Sequence, residues 1–137
     1  MKSALCSPSM NSLASLLRAI AFAASLVAID ASASWAGAAD VVRVEVRKQA
    51  PGVYDFDVTM RSNNTRWEHY ADRFEVLTLD GTMLGTRVLL HPHADEQPFT
   101  RDLHGLRIPA GIHRVIVRAH HKTKGYDGAI LTVALPR

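Results

Sequence analysis

The chain has one cysteine, Cys6, among 137 residues. It stands ahead of the apolar run Ala19 to Ile29, out of place for a lipid-carrying cysteine, and everything after that run is free of thiols. A disulfide framework and a thiolate-ligated metal are therefore excluded for the body of the chain. Long apolar runs are missing too: Ala19 to Ile29 falls short of the roughly 20 residues that a membrane-spanning helix needs. There is no basic block either. Two of the charges behind the formal net +3 are Lys2 and Arg18, and the remaining basic residues are interleaved with Asp and Glu, which argues against a nucleic-acid partner. No Ser or Cys sits in a nucleophile context and no Gly-rich phosphate loop occurs. Asp95 and Glu96 are adjacent, unlike the separated carboxylates of a glycosidase. Nothing here signals an enzyme.

What is present begins with export. Lys2 and Arg18 bracket a Ser-rich start, the short apolar run follows, and two small-residue sites come next, Ala31-Ser32-Ala33 and Ala36-Gly37-Ala38. This three-part layout is that of a secretory signal peptide over residues 1–38, cut after Ala38 or, as the second choice, after Ala33. The mature product, residues 39–137, is then periplasmic or secreted and has no membrane span. Its length suits one domain with one core.

Beyond residue 38 the hydrophobic period is two. Val42, Val44 and Val46 alternate with charged residues, and Tyr54, Phe56, Val58 and Met60 alternate with Asp55, Asp57 and Thr59, the pattern of half-buried strands. Further strands are predicted at Phe74 to Leu79, Met83 to Leu90, from Phe99 with a bulge at His104-Gly105, Val115 to Ala119, and Leu131 to Leu135. Asp80-Gly81 reads as a type I′ hairpin turn. No amphipathic helix pattern appears. Seven short strands with regular turn signals predict an all-β, seven-stranded antiparallel sandwich of the immunoglobulin or fibronectin-III kind, with a small open barrel as the alternative.

Strands that alternate in direction place the links after the second, fourth and sixth at one end. Those links, residues 62–70, 91–98 and 120–128, hold five of the seven histidines. His91 and His93, two apart in an extended segment, project to the same side, and Pro92 between them limits the entropy lost on ordering. With a third donor from His69, His121 or Glu96, they would suit a divalent ion such as Zn²⁺, Cu²⁺ or Ni²⁺. No other cofactor is implied. Trp67, Tyr70, Gln97 and Tyr126 share this pole as candidates for contact with a small ligand or a protein. Trp67, Tyr70 and Phe99 also read as core or capping residues, and the whole pole as an internal hydrogen-bond network that satisfies buried groups. The expectation is a binding module, with a metal at the histidine pole as its sharpest form and a structural or protein-interaction domain as the alternative.

Three segments, Trp67-Glu68-His69-Tyr70-Ala71-Asp72, Leu84-Gly85-Thr86-Arg87 and His91 to Arg101, resemble a family of small exported bacterial proteins of uncharacterised function. That resemblance implies export and a single all-β unit, and no activity. A looser similarity, through the closing pattern Ala110-Gly111 to Val133, is to CopC-type periplasmic copper-binding sandwiches. This chain lacks that family's histidine at the mature N-terminus and its Asp-Gly-His segment.

Overall fold

The computed structural model describes residues 38–62 and 67–137. The signal-peptide reading of residues 1–38, Ala38 apart, and the loop reading of Asn63, Asn64 and Thr65 lie outside the described residues.

Seven strands follow in order: β1 (Ala39–Ala50), β2 (Val53–Ser62), β3 (Ala71–Leu77), β4 (Met83–Val88), β5 (Phe99–Arg107), β6 (Arg114–His121) and β7 (Leu131–Ala134), with a short 3-10 turn at Ala94–Glu96. They form two antiparallel sheets, ordered β1-β2-β5 and β4-β3-β6-β7. The expected alternation produces this. Phe56, Val58 and Met60 of β2 are fully buried, as are Phe74 and Val76 of β3 and Val115 and Val117 of β6, and they join one core drawn from both sheets. At about 1.5–3 kcal/mol for each large apolar side chain taken from water, this layer is the main stabilising contribution.

Several local expectations are refined. The fourth strand ends at Val88 rather than Leu90. The bulge at His104-Gly105 is present: the β2–β5 register slips between Tyr54 and Phe56, and Gly105 takes a φ of 65° that a Cβ would disfavour. The Asp80-Gly81 turn is not type I′, because only Gly81 has positive φ, whereas that turn needs two such residues. Instead Gly81 N donates to Thr78 O at 3.0 Å, and the Asp80 carboxylate accepts from the Thr78 hydroxyl and from Thr82 N. Tyr70 and Phe99 are buried as expected. Trp67 is 68% exposed, which corrects its reading as a core or capping residue.

The links β2–β3, β4–β5 and β6–β7 do lie at one end. Ser62 N donates to Gln97 Oε1 at 2.8 Å, Lys122 N to Tyr70 O at 2.9 Å, and Leu89 N to Asp72 O at 2.8 Å. The opposite end carries the turns at Pro51-Gly52, Asp80-Gly81 and Pro109–Gly111.

Candidate functional site

The histidine pole divides into two groups. In the first, the β4–β5 link sets His91 and His93 with ring centroids 4.5 Å apart, and the Phe99 ring also lies 4.5 Å from that of His93. Gln97 ties this loop down, with Nε2 donating to His93 O at 2.9 Å while Oε1 accepts from Ser62 N. Arg101, entering from β5, places Nη2 2.7 Å from His93 Nδ1 and 2.7 Å from Glu96 Oε2. A guanidinium only donates, so His93 Nδ1 accepts and its ring proton sits on Nε2.

In the second group, His121 is 1% exposed at the end of β6. Its Nδ1 accepts from Thr123 N at 3.3 Å and Lys124 N at 3.2 Å, which leaves the proton on Nε2, a buried atom with no hydrogen-bond partner. The His69 ring lies 6.2 Å away, with its Nδ1 2.9 Å from Thr123 Oγ1. His120 points to the other face of β6 and meets Asp72 Oδ1 at 2.5 Å. The expected donors thus divide between two places, His91, His93 and Glu96 in one and His69 and His121 in the other, and among the described residues no three of His, Cys, Asp or Glu form a group placed to hold a metal ion.

The electrostatics follow from burial. Burial first, then the Arg101 charge, pushes the His93 pKa below its ordinary 6.5, with Glu96 opposing. Burial does the same for His121. Glu96 is held below the usual carboxylate range by its hydrogen bond from Arg101. Both imidazoles bind a proton less tightly in the folded chain than in the unfolded one. Stability therefore rises with pH up to about 6.5 and falls as pH drops through that value. His104 works in the opposite sense. Its hydrogen bond with Asp55 raises its pKa, burial opposes the rise, and the Asp102 charge adds to it. That contribution is present below 6.5 and lost as pH climbs through the folded value. The midpoint of urea unfolding is expected to fall between about pH 7.5 and 5.5, and to fall further in His104→Gln. A midpoint that climbs on acidification would show that the two buried rings do not govern this range.

Two features had no clear signal in the sequence. On the outer face of the β4-β3-β6-β7 sheet, Glu75 is buried beneath Tyr126 of the β6–β7 link. Tyr126 Oη donates to Glu75 Oε1 at 2.6 Å, Arg118 Nε to Oε2 at 2.9 Å, and Arg73 Nε to Oε1 at 3.1 Å. Arg118 also lies 3.8 Å over the Tyr126 ring. Tyr126, one of the ligand-pole candidates, pins its own loop to the sheet through its bond to Glu75. The second feature is at the plain-turn end, where a cavity of about 480 Å³ opens among Lys48, Tyr54, Ile108, His113, Leu135 and neighbouring residues. At the histidine pole the cavity beside Arg87, His91 and Arg101 is about 190 Å³. Lys48 and His113 flanking the Pro51-Gly52 and Pro109–Gly111 turns were the available hint, but strand alternation does not register concavity.

No family model matches the chain, and no solved structure does. The chain is 38% identical over 95 residues to a protein of Halomicrobium mukohataei described as "Putative lipoprotein". The match covers 69% of this chain and 46% of that protein, so the chain spans less than half the length of this relative.

Proposed function

We propose that this chain is an exported, non-catalytic binding domain, built as a fibronectin-III-type sandwich, whose histidine pole is an internal hydrogen-bond network rather than a metal centre. The observation that carries the reading is the position of Arg101. Its Nη2 stands between His93 Nδ1 and Glu96 Oε2, 2.7 Å from each, a fixed positive charge between the two groups that a divalent cation would need together. In support of the architecture, β1-β2-β5 faces a sheet in which the fourth strand has joined the third, sixth and seventh, a variant of the immunoglobulin arrangement. In support of export stand the signal-like layout of the first 38 residues and the description of the relative as a lipoprotein. The lipid is not carried over, because Cys6 precedes the apolar run.

A second reading, a divalent ion at His69 and His121, has one observation in its favour: the buried Nε2 of His121 lacks a partner. Metal analysis and zinc, copper and nickel titration calorimetry on the full chain separate the two. The network reading expects no stoichiometric uptake, and equal behaviour of a His91→Ala/His93→Ala variant. Uptake of one ion per chain would overturn it. If that uptake were lost in His69→Ala, the ion would belong to the second pair, and if lost in the His91/His93 variant, to the first.

A further inference from the structure

Charge pairing within this molecule is lopsided. Most of the carboxylates are committed: Glu75 to Arg73, Arg118 and Tyr126, Glu96 to Arg101, Asp57 to Arg47, Asp72 to His120, and Asp55 and Asp102 to His104. The cations without a partner are unevenly placed. Among the described residues, six cationic side chains take part in no ion pair or hydrogen bond: Arg87 and Lys124 lie toward the histidine pole, and Lys48, Arg107, Arg114 and Arg137 all stand at the plain-turn end. Here β1, β5 and β7 finish and β6 begins. His113 adds a titratable group. The acid of the Asp80 turn is spent on Thr78 and Thr82.

Part of this unpaired positive rim borders the concavities of the same end. Lys48, His113 and Arg137 border the cavity of about 480 Å³, whose floor is apolar: Tyr54, Ile108 and Leu135 are each at most 9% exposed. A groove of about 540 Å³ continues from it past Ile112 and His113 to Leu79 and Arg114. The cavity volume is in the range of small-molecule sites, which are typically apolar concavities with a few polar groups that fix orientation.

We propose that this end binds a small anionic amphiphile, its apolar chain on the Tyr54, Ile108 and Leu135 floor and its carboxylate or phosphate head among Lys48, His113 and Arg114. This gives the binding-domain reading above its ligand class and rests on it. The apolar groups of the floor are recessed rather than protruding, which suits a single chain entering the molecule and not a surface that inserts into a bilayer. Exposed ion pairs contribute little each, so the floor supplies most of the affinity and the rim supplies the preference for an anion.

The test is titration of the full chain with dodecanoate and dodecyl phosphate below their micelle concentrations, with dodecyl maltoside as the uncharged control and anionic phospholipid vesicles as a separate arm. Saturable one-to-one binding of both anions is expected, at least about tenfold tighter than the maltoside at low salt. A Lys48→Glu/Arg114→Glu variant should lose about tenfold in affinity. Ala110→Trp, which fills the cavity mouth from an exposed turn position, should lose binding while its unfolding midpoint stays unchanged. Equal binding of the maltoside, unchanged binding in Ala110→Trp, or binding to vesicles alone would each overturn the proposal. Metal uptake at the other pole would overturn the earlier reading without touching this result, and absence of amphiphile binding with no metal uptake would overturn this inference alone.

Discussion

Replacing Glu75 with glutamine is expected to lower the stability of the domain by about 2–3 kcal/mol. The carboxylate is 4% exposed and accepts hydrogen bonds from Tyr126, Arg118 and Arg73. Glutamine keeps the shape and one acceptor oxygen but removes the charge, which leaves two guanidinium groups facing an amide N–H donor. Removing one partner of a buried ion pair costs about 3–5 kcal/mol because the other is left uncompensated. Here the Arg118 and Arg73 side chains are 33% and 32% exposed and regain some hydration, which places the effect just below that range. The pH dependence supplies a second readout. Burial pulls the Glu75 pKa upward, and the hydrogen bonds from Tyr126, Arg118 and Arg73 outweigh it, so the carboxyl stays below its ordinary 4.5. A depressed acid stabilises the fold above its unfolded value, and that contribution is lost as pH falls through the folded value. Urea unfolding curves of the two proteins should therefore be well separated near neutral pH and converge in acid. A difference under about 0.5 kcal/mol at neutral pH would place the cluster among ordinary surface ion pairs.

The same residue marks where the sequence stops being readable. Period-two alternation identifies Phe74 and Val76 as inward-facing and puts Glu75 on the solvated side, which is right for the sheet and wrong for the burial. What covers Glu75 is Tyr126, 51 positions away on a loop whose path no local pattern encodes. The histidine pole behaves likewise. Alternating strand direction is enough to bring three links to one end, and the structure has them there. Which imidazole meets which partner depends on register: Arg101 stands opposite Val58, and from there its guanidinium reaches His93 and Glu96. The spacing of two from His91 to His93 places their rings side by side, but a third imidazole would have to come from another link, and the positions of side chains across links are set by packing. Trp67 shows the limit from the other direction, since an aromatic next to a buried Tyr70 reads as core until its 68% exposure is seen. The unpaired cations of the plain-turn end are visible as letters. Their lack of partners is a property of the folded molecule alone.

Gly128→Ala is expected to be the most damaging single methyl in the domain, at about 4 kcal/mol, and to leave little folded protein at physiological temperature. Its φ is not in the left-handed region, so the cause is space and not backbone conformation. A Cβ at this position would overlap the Ala39 carbonyl oxygen, with the carbonyl carbon at 2.5 Å and Asp40 Oδ1 at 2.9 Å. Two of these three atoms are backbone at the start of β1, where no rotamer change gives relief. Moving the loop outward would break two of the bonds that seat it, Ala129 N to Asp40 Oδ1 at 2.7 Å and Val41 N to Ala129 O at 2.9 Å. Asp40 is 1% exposed and its Oδ2 already has no partner, so losing the first bond would strand the carboxylate, and each buried polar group left unmet costs about 1–3 kcal/mol. Two other glycines separate the contributions. Gly81→Ala meets nothing within 4 Å but sits at φ 91°, so it isolates backbone strain, about 1 kcal/mol. Gly85→Ala puts a methyl 2.6 Å from Leu106 Cδ1, the end of a side chain that can turn aside, for an intermediate loss of about 1–3 kcal/mol. Thermal and urea unfolding of the three variants should rank them Gly128 above Gly85 above Gly81. A Gly128→Ala protein as stable as Gly81→Ala would mean that the β6–β7 link is not seated on β1, and with it the anchoring of Asp40 would fail.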